Sequence, residues 1–323
     1  TWAESLAVHF TDAVLVLHRG TIVYERYLGV TRQDTPHIAF SVTKSFVGTL
    51  AEMLVAEGRL DPAALMGDLI PELRGSGFAD ATLRQVMDMT TALDFSEEYT
   101  DPSSGIGAMS NALGLTPRAP GYSGATDVYA FLPTIAKTGE HGERFTYRTC
   151  NTEVLGWLVA RTEGKRIDKV LSERIWQPLG MEQDADFLID STGMPFAGGG
   201  LNPVIRDMAR FGEMMRCDGA ANGRQIVPAA ALDSIRAGAS KEAFAKAGYV
   251  YLPDSSYRSQ WWIMPGNHGA FSARGIHGQV IYVDPAAEMT IARFASHPVA
   301  ANSALDPTSL PAYRAVAEHL MRG

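Results

Sequence analysis

The alternation of apolar and polar positions divides the chain into strand-rich ends and a helical middle. Residues 13–17 are an unbroken apolar run, Arg19-Gly20 carries turn chemistry, and Ile22-Val23-Tyr24 returns, so residues 12–28 read as a β-hairpin. Ser41 then opens a helical pattern running to about Glu57, with Gly58 as its stop. A second helix is predicted from Thr82 to Met89. Residues 93–125 are rich in Gly, Ser, Pro and Asp and read as one long loop, of the kind that is usually functional or mobile. Further helices are predicted over 126–137, 151–162, 167–175, 204–216 and 310–321. Strand-like runs occupy 259–264, 268–273, 279–283 and 289–293.

Strands at both ends with helices between them imply an α+β fold. One antiparallel sheet is formed by N- and C-terminal strands flanked by helices, with a helical lobe inserted in the middle. The expected organisation is a single domain over 1–323, with a sheet lobe at about 1–40 and 220–323 and a helical lobe at about 60–215. Ser41 falls where the two lobes meet, which is where clefts form.

Bulk properties narrow the function by exclusion. A hydrophobic share of 46% and a charged share of 20% describe an ordinary globular protein. The net charge of -8 offers no basic excess to neutralise phosphates, so no nucleic-acid partner is expected. Cys150 and Cys217 are too few for a disulfide framework or a thiolate metal cluster and read as core residues. The eight histidines show no His-Glu-x-x-His or similar ligand spacing, so no metal is expected. Gly198-Gly199-Gly200 follows no Rossmann-type strand, and no Gly-rich loop leads into Lys-Ser/Thr, so no cofactor is expected either. No apolar run is long enough to span a bilayer and the first residues do not look like a signal peptide. A cytoplasmic protein without a membrane partner is the expectation.

The candidate chemistry begins at Ser41-Val42-Thr43-Lys44. Residues three apart at a helix start share one face. A desolvated lysine beside a serine hydroxyl is one of the few arrangements that activates that weak nucleophile. Of six lysines, only Lys44 has a serine three residues earlier. A second candidate is Tyr147, in a loop just before a helix for which Asn151 is a good N-cap. A phenol near an ammonium loses its proton more easily and serves as a base or as a shuttle to a leaving group. The third is Gly275-Ile276-His277-Gly278, where glycines admit close backbone approach and a strand edge offers a free N–H to an oxyanion. His277 reads as structural or substrate-lining, because the chain holds no Gly-x-Ser-x-Gly elbow to complete a triad.

Together these elements resemble the serine hydrolases of the penicillin-recognising and β-lactamase type, which carry Ser-x-x-Lys, then Tyr-x-Asn, then Lys-Thr-Gly. The order and wide spacing match across nearly the whole chain. Thr149 stands at the usual asparagine, and Gly275-Ile276-His277 replaces Lys-Thr-Gly. The missing lysine often holds a β-lactam carboxylate, which counts against antibiotic hydrolysis. A closer resemblance is to the 6-aminohexanoate-dimer hydrolases, nylon-oligomer enzymes that are also carboxylesterases. It is carried by Asp94-Phe95-Ser96-Glu97-Glu98-Tyr99, by Asn151-Thr152-Glu153-Val154-Leu155-Gly156-Trp157, by residues 256–262 and by Gly275-Ile276-His277-Gly278-Gln279.

That resemblance implies a β-lactamase/transpeptidase-like fold and a small ester or amide substrate, and it leaves room for a homodimer. Ser41 would be the nucleophile, with Lys44 and Tyr147 handling its proton. The Ile276 N–H would complete an oxyanion hole with that of Ser41. Tyr99 would be the mobile-loop tyrosine that bonds the scissile amide, and Trp262 would line the cleft. Ser110 falls near an aspartate that contacts the substrate amine in efficient nylon enzymes, and Gly198 stands where those enzymes carry asparagine or histidine. Both departures favour ester over nylon-dimer cleavage. The rival readings are a β-lactamase or D,D-peptidase, and a non-catalytic penicillin-binding-like module.

Overall fold

The computed structural model describes residues 2–322; Thr1 and Gly323, at the ends of the range expected to form one domain, lie outside it. Its centre is a seven-stranded antiparallel sheet. The strands are β1 (Thr11–His18), β2 (Thr21–Tyr27), β3 (Ser256–Arg258), β4 (Trp261–Ile263), β5 (Phe271–Gly275), β6 (Gln279–Asp284) and β7 (Met289–Ala295). Their spatial order is β2-β1-β7-β6-β5-β4-β3, so the N-terminal hairpin pairs with the last strand, Val16 opposite Ile291. The two ends of the chain thus share one sheet.

The unbroken apolar run in β1 has a physical reason. Ala13, Leu15 and Leu17 join the core beneath one face of the sheet, while Val14 and Val16 join a second core on the other face. A strand buried on both sides cannot alternate apolar with polar. The main core packs this sheet on α1 (Val42–Ala56) and the helices of the middle segment; Phe46 stacks on Phe211 at 3.8 Å. The second core lies under the C-terminal helix Asp306–Leu320, where Tyr313 packs near Tyr282.

Helix α1 is the axis of the molecule, buried on all sides from Val42 to Leu54. Gly48 lets it approach the sheet: a Cβ there would lie 2.1 Å from the Ser259 carbonyl oxygen. That carbonyl belongs to the β3–β4 turn, so the same contact fixes the strands that carry Trp262.

Several expectations are corrected. The run over 259–264 is not one strand: Ser259 and Gln260 both take positive φ, 50° and 68°, and fold the segment into a two-residue hairpin without glycine. The stretch 93–125 is not loop throughout, because Gly105–Leu113 is a helix whose Ser104 hydroxyl accepts the Gly107 N–H. Asn151 does not cap its helix. The element starts at Thr149, and Asn151 lies buried inside it, its carbonyl oxygen accepting from the Thr91 hydroxyl. Short helices at Met66–Leu69, Ala229–Ala237 and Lys241–Ala245 had no counterpart in the sequence pattern. Among the described residues, no helix is long and apolar enough to cross a membrane.

Candidate active site

Ser41 stands at the N-cap of α1, the position whose hydroxyl usually closes the first helical turn. Here it makes no capping bond and is free for other work. Phe40, just before it, takes a positive φ of 44°, and its ring lies 5.3 Å from that of His277. A bulky residue in this region of backbone space is strained, and the strain is held where it aims Ser41.

One turn along, Lys44 is 1% exposed. Its Nζ donates to Ser41 Oγ at 3.1 Å and to the Gly198 carbonyl at 2.5 Å. Burial pulls the ammonium down to a pKa of about 8, against the opposing charges of Glu97 and Glu153. Tyr147 completes the group. Its phenol faces the Ser41 hydroxyl across the cleft floor, and its ring centroid lies 5.3 Å from Lys44 Nζ. The ring stacks on Trp262 at 5.7 Å and meets Tyr257 edge-on at 6.2 Å.

Burial drives the Tyr147 phenol well above its ordinary pKa, further than the neighbouring Ser41 hydroxyl pulls it back. This reverses the expectation that a nearby ammonium would ease the loss of its proton. Tyr147 keeps its proton and is suited to donating one, not to resting as a phenolate.

These residues open onto a cleft of about 500 Å³ lined by Ser41, Tyr99, Tyr147, Trp262 and Ile276 among others. Ile276 follows the last residue of β5, and a Cβ on Gly275 would lie 3.1 Å from the Ser41 nitrogen. The end of β5 and the start of α1 are therefore in contact, with the Ser41 and Ile276 amides at that junction. Tyr99 is half in solvent at 39% exposure, and its hydroxyl donates to Glu97 at 2.7 Å.

Three substrate-binding candidates do not line this cleft. Ser110 lies within the helix Gly105–Leu113, and its hydroxyl turns back to the Ile106 carbonyl at 2.8 Å. His277 adopts a positive φ of 61°, and its Nδ1 is 2.7 Å from the His297 carbonyl, which gives it a structural role. Gly198 is buried beneath the site, where its carbonyl meets Lys44.

The sequence reading passed over four cleft residues. Glu97 accepts the N–H and hydroxyl of Thr149 and the hydroxyl of Tyr99, so Thr149, at the family's asparagine position, anchors the Tyr99 loop. Arg274 lies over the Trp262 ring at 5.3 Å and pairs with Asp306. Tyr249 lines the same wall. Glu97 lies inside a segment that carries the resemblance and Arg274 directly precedes another, which was their only signal.

Comparison with known proteins gives a consistent picture. A family model described as Beta-lactamase matches residues 5–310. The chain is 38% identical over 289 residues to the 6-aminohexanoate-dimer hydrolase of Paenarthrobacter ureafaciens, covering 89% of this chain and 73% of that one. A solved structure from Bacillus anthracis, provisionally assigned as a 6-aminohexanoate-dimer hydrolase, superposes with a TM-score of 0.90 at 34% identity, covering 99% of this chain and 82% of that one. A family VIII carboxylesterase shares the fold, with a TM-score of 0.71 at 16% identity over 97% of this chain and 96% of the other.

Proposed function

The chain belongs to the β-lactamase family of serine hydrolases, and from that premise we propose that it cleaves esters and amides of small linear substrates through an acyl-enzyme on Ser41. One observation carries the reading: the Ser41 hydroxyl is spared from capping, accepts from Lys44 Nζ at 3.1 Å and shares its cleft with the Tyr147 phenol. A structural serine at a helix start would spend that hydroxyl on the backbone.

In the proposed reaction neutral Lys44 takes the Ser41 proton as Oγ attacks the substrate carbonyl carbon. The amides of Ser41 and Ile276 receive the oxyanion, a contribution of about 3 kcal/mol per donor. As the tetrahedral intermediate collapses, the C–O or C–N bond breaks. Tyr147 donates its proton to the leaving alcohol or amine and draws a replacement from the Lys44 ammonium. Water then attacks the acyl carbon, Lys44 accepts its proton, and the acid departs as Ser41 is reprotonated.

One wall of the cleft, formed by Trp262, Tyr147, Tyr249 and Phe145, suits apolar chain atoms, while Glu97, Arg144, Arg274 and Asp306 give it a charged rim. The relatives named for 6-aminohexanoate-dimer hydrolysis support a linear amide as one substrate class. Ser110 faces away from the cleft and offers nothing to a substrate amine, which favours esters as the better substrates. The test is p-nitrophenyl esters of graded chain length beside 6-aminohexanoate dimer, with Ser41→Ala as control. Ester turnover faster than dimer turnover, both lost in Ser41→Ala, is expected. Ester turnover that survives Ser41→Ala would overturn the proposal.

A further inference from the structure

Glu153 is a carboxylate in the middle of the helix Thr149–Glu163, 2% exposed. A charge in that position is costly unless it is hydrogen-bonded and compensated. Its bonds go to one place. Oε1 accepts the Gly198 N–H at 2.5 Å and Oε2 accepts the Ala197 N–H at 3.3 Å. The other side of the Gly198 residue faces Lys44, whose Nζ donates to the Gly198 carbonyl. One glycine therefore joins the two buried ionisable groups, its N–H to the acid and its carbonyl to the base. The spot admits only glycine, since a Cβ would lie 2.4 Å from Thr149 Cγ2 and 2.8 Å from Glu153 Oε1.

We propose that Glu153 is a positioning residue for the base of the reaction: it turns the Gly198 carbonyl onto Lys44 Nζ, and in its ionised form it holds the Lys44 proton until Ser41 needs the base. The proposal rests on the reading of Lys44 as the group that deprotonates Ser41. The other groups facing Lys44 are Ser41, Tyr147, Cys150 and the Glu97 carboxylate across the cleft. Glu153 itself also faces Asp190 and Tyr129. Burial pushes Cys150 and Tyr129 upward, so both are neutral near pH 7, and it pushes Glu153 up to about 8, so Glu153 and Lys44 titrate over the same range as a pair. Glu97 acts on Lys44 through charge, more strongly than Glu153, but its oxygens bond Thr149 and Tyr99; Glu153 is the carboxylate tied to Lys44 through one residue.

The test compares the full-length protein with Glu153→Gln, which keeps the shape and removes the charge. The pH dependence of kcat/KM is measured on a p-nitrophenyl ester, and the Lys44 ¹³Cε resonance is followed by NMR. With only six lysines in the chain, that resonance is readily assigned. Both readouts should move together to lower pH by about one unit in the variant. Glu153→Asp, which restores the charge on a shorter arm, should return the midpoint toward wild type with kcat still reduced and KM unchanged. If Glu153→Gln does not fold, the Glu153→Asp comparison carries the test alone: a midpoint displaced from wild type as kcat falls would overturn the charge role. A folded Glu153→Gln with both midpoints unmoved would overturn the proposal outright. A phosphonate that labels Ser41 separates the two readings. Labelling with unmoved midpoints sinks only the role of Glu153, whereas absence of labelling in wild type sinks the Ser41 chemistry.

Discussion

The buried Lys44 predicts a specific pH dependence. An ordinary lysine, at 10.5, is neutral in about one molecule in 3,000 at pH 7. At about 8, where burial places Lys44, about a tenth of the molecules carry the free base. The gain is about 300-fold in active enzyme, equivalent to about 3 kcal/mol paid in desolvating the ammonium. Burial lowers the value, so the protonated, inactive form dominates below about pH 8 and the base is free above it. Glu153 is pushed up to about 8 by its own burial, so the observed midpoint belongs to the pair. The assay is kcat/KM for a p-nitrophenyl ester from pH 5.5 to 10, with spontaneous hydrolysis subtracted. The curve should rise about tenfold per pH unit and level off near pH 8. Lys44→Arg keeps a cation but loses the base, and should cost about 10³-fold on the plateau above pH 8 and progressively less below it. A flat profile, or one still climbing steeply at pH 10, would refute the assignment of Lys44 as base.

Three further outcomes follow from the packing. Tyr99→Phe should cut amide turnover about tenfold by removing a donor to the leaving nitrogen, and cut ester turnover far less; equal losses would reject that role. Gly48→Ala puts a methyl 2.1 Å from the Ser259 carbonyl oxygen, and should lower stability by about 3 kcal/mol in urea unfolding; an unchanged midpoint would show that α1 can shift. Ser110→Ala should leave ester and amide turnover within about twofold of wild type, because its hydroxyl is spent on Ile106; a selective loss on amine-bearing substrates would place it in the cleft after all.

What could be read from the sequence tracks how local the physics is. The β1 run announces itself because it is buried on both faces, and α1 because its cap, length and glycine stop are contiguous. The helix Gly105–Leu113 was hidden by two glycines within it, whose small size the packing requires: a Cβ on Gly107 would lie 2.3 Å from the Pro102 carbonyl oxygen. The Ser259-Gln260 turn was hidden because it uses positive φ without glycine or asparagine. Ser41 and Lys44 were legible as a pair on one helical turn, whereas Tyr147, Trp262 and Ile276 needed the family's order of motifs. Glu153 stayed invisible as chemistry. A glutamate within a helix usually reads as solvated, and only the fold brings Gly198, 45 residues away, against it.

The most direct test of the account is the mass of the intact protein after mixing with a slowly deacylating ester. The account predicts a single added acyl group, mapped by proteolysis to the peptide holding Ser41 and absent from Ser41→Ala. An acyl adduct on any other residue, or turnover in Ser41→Ala equal to that of wild type, would contradict it.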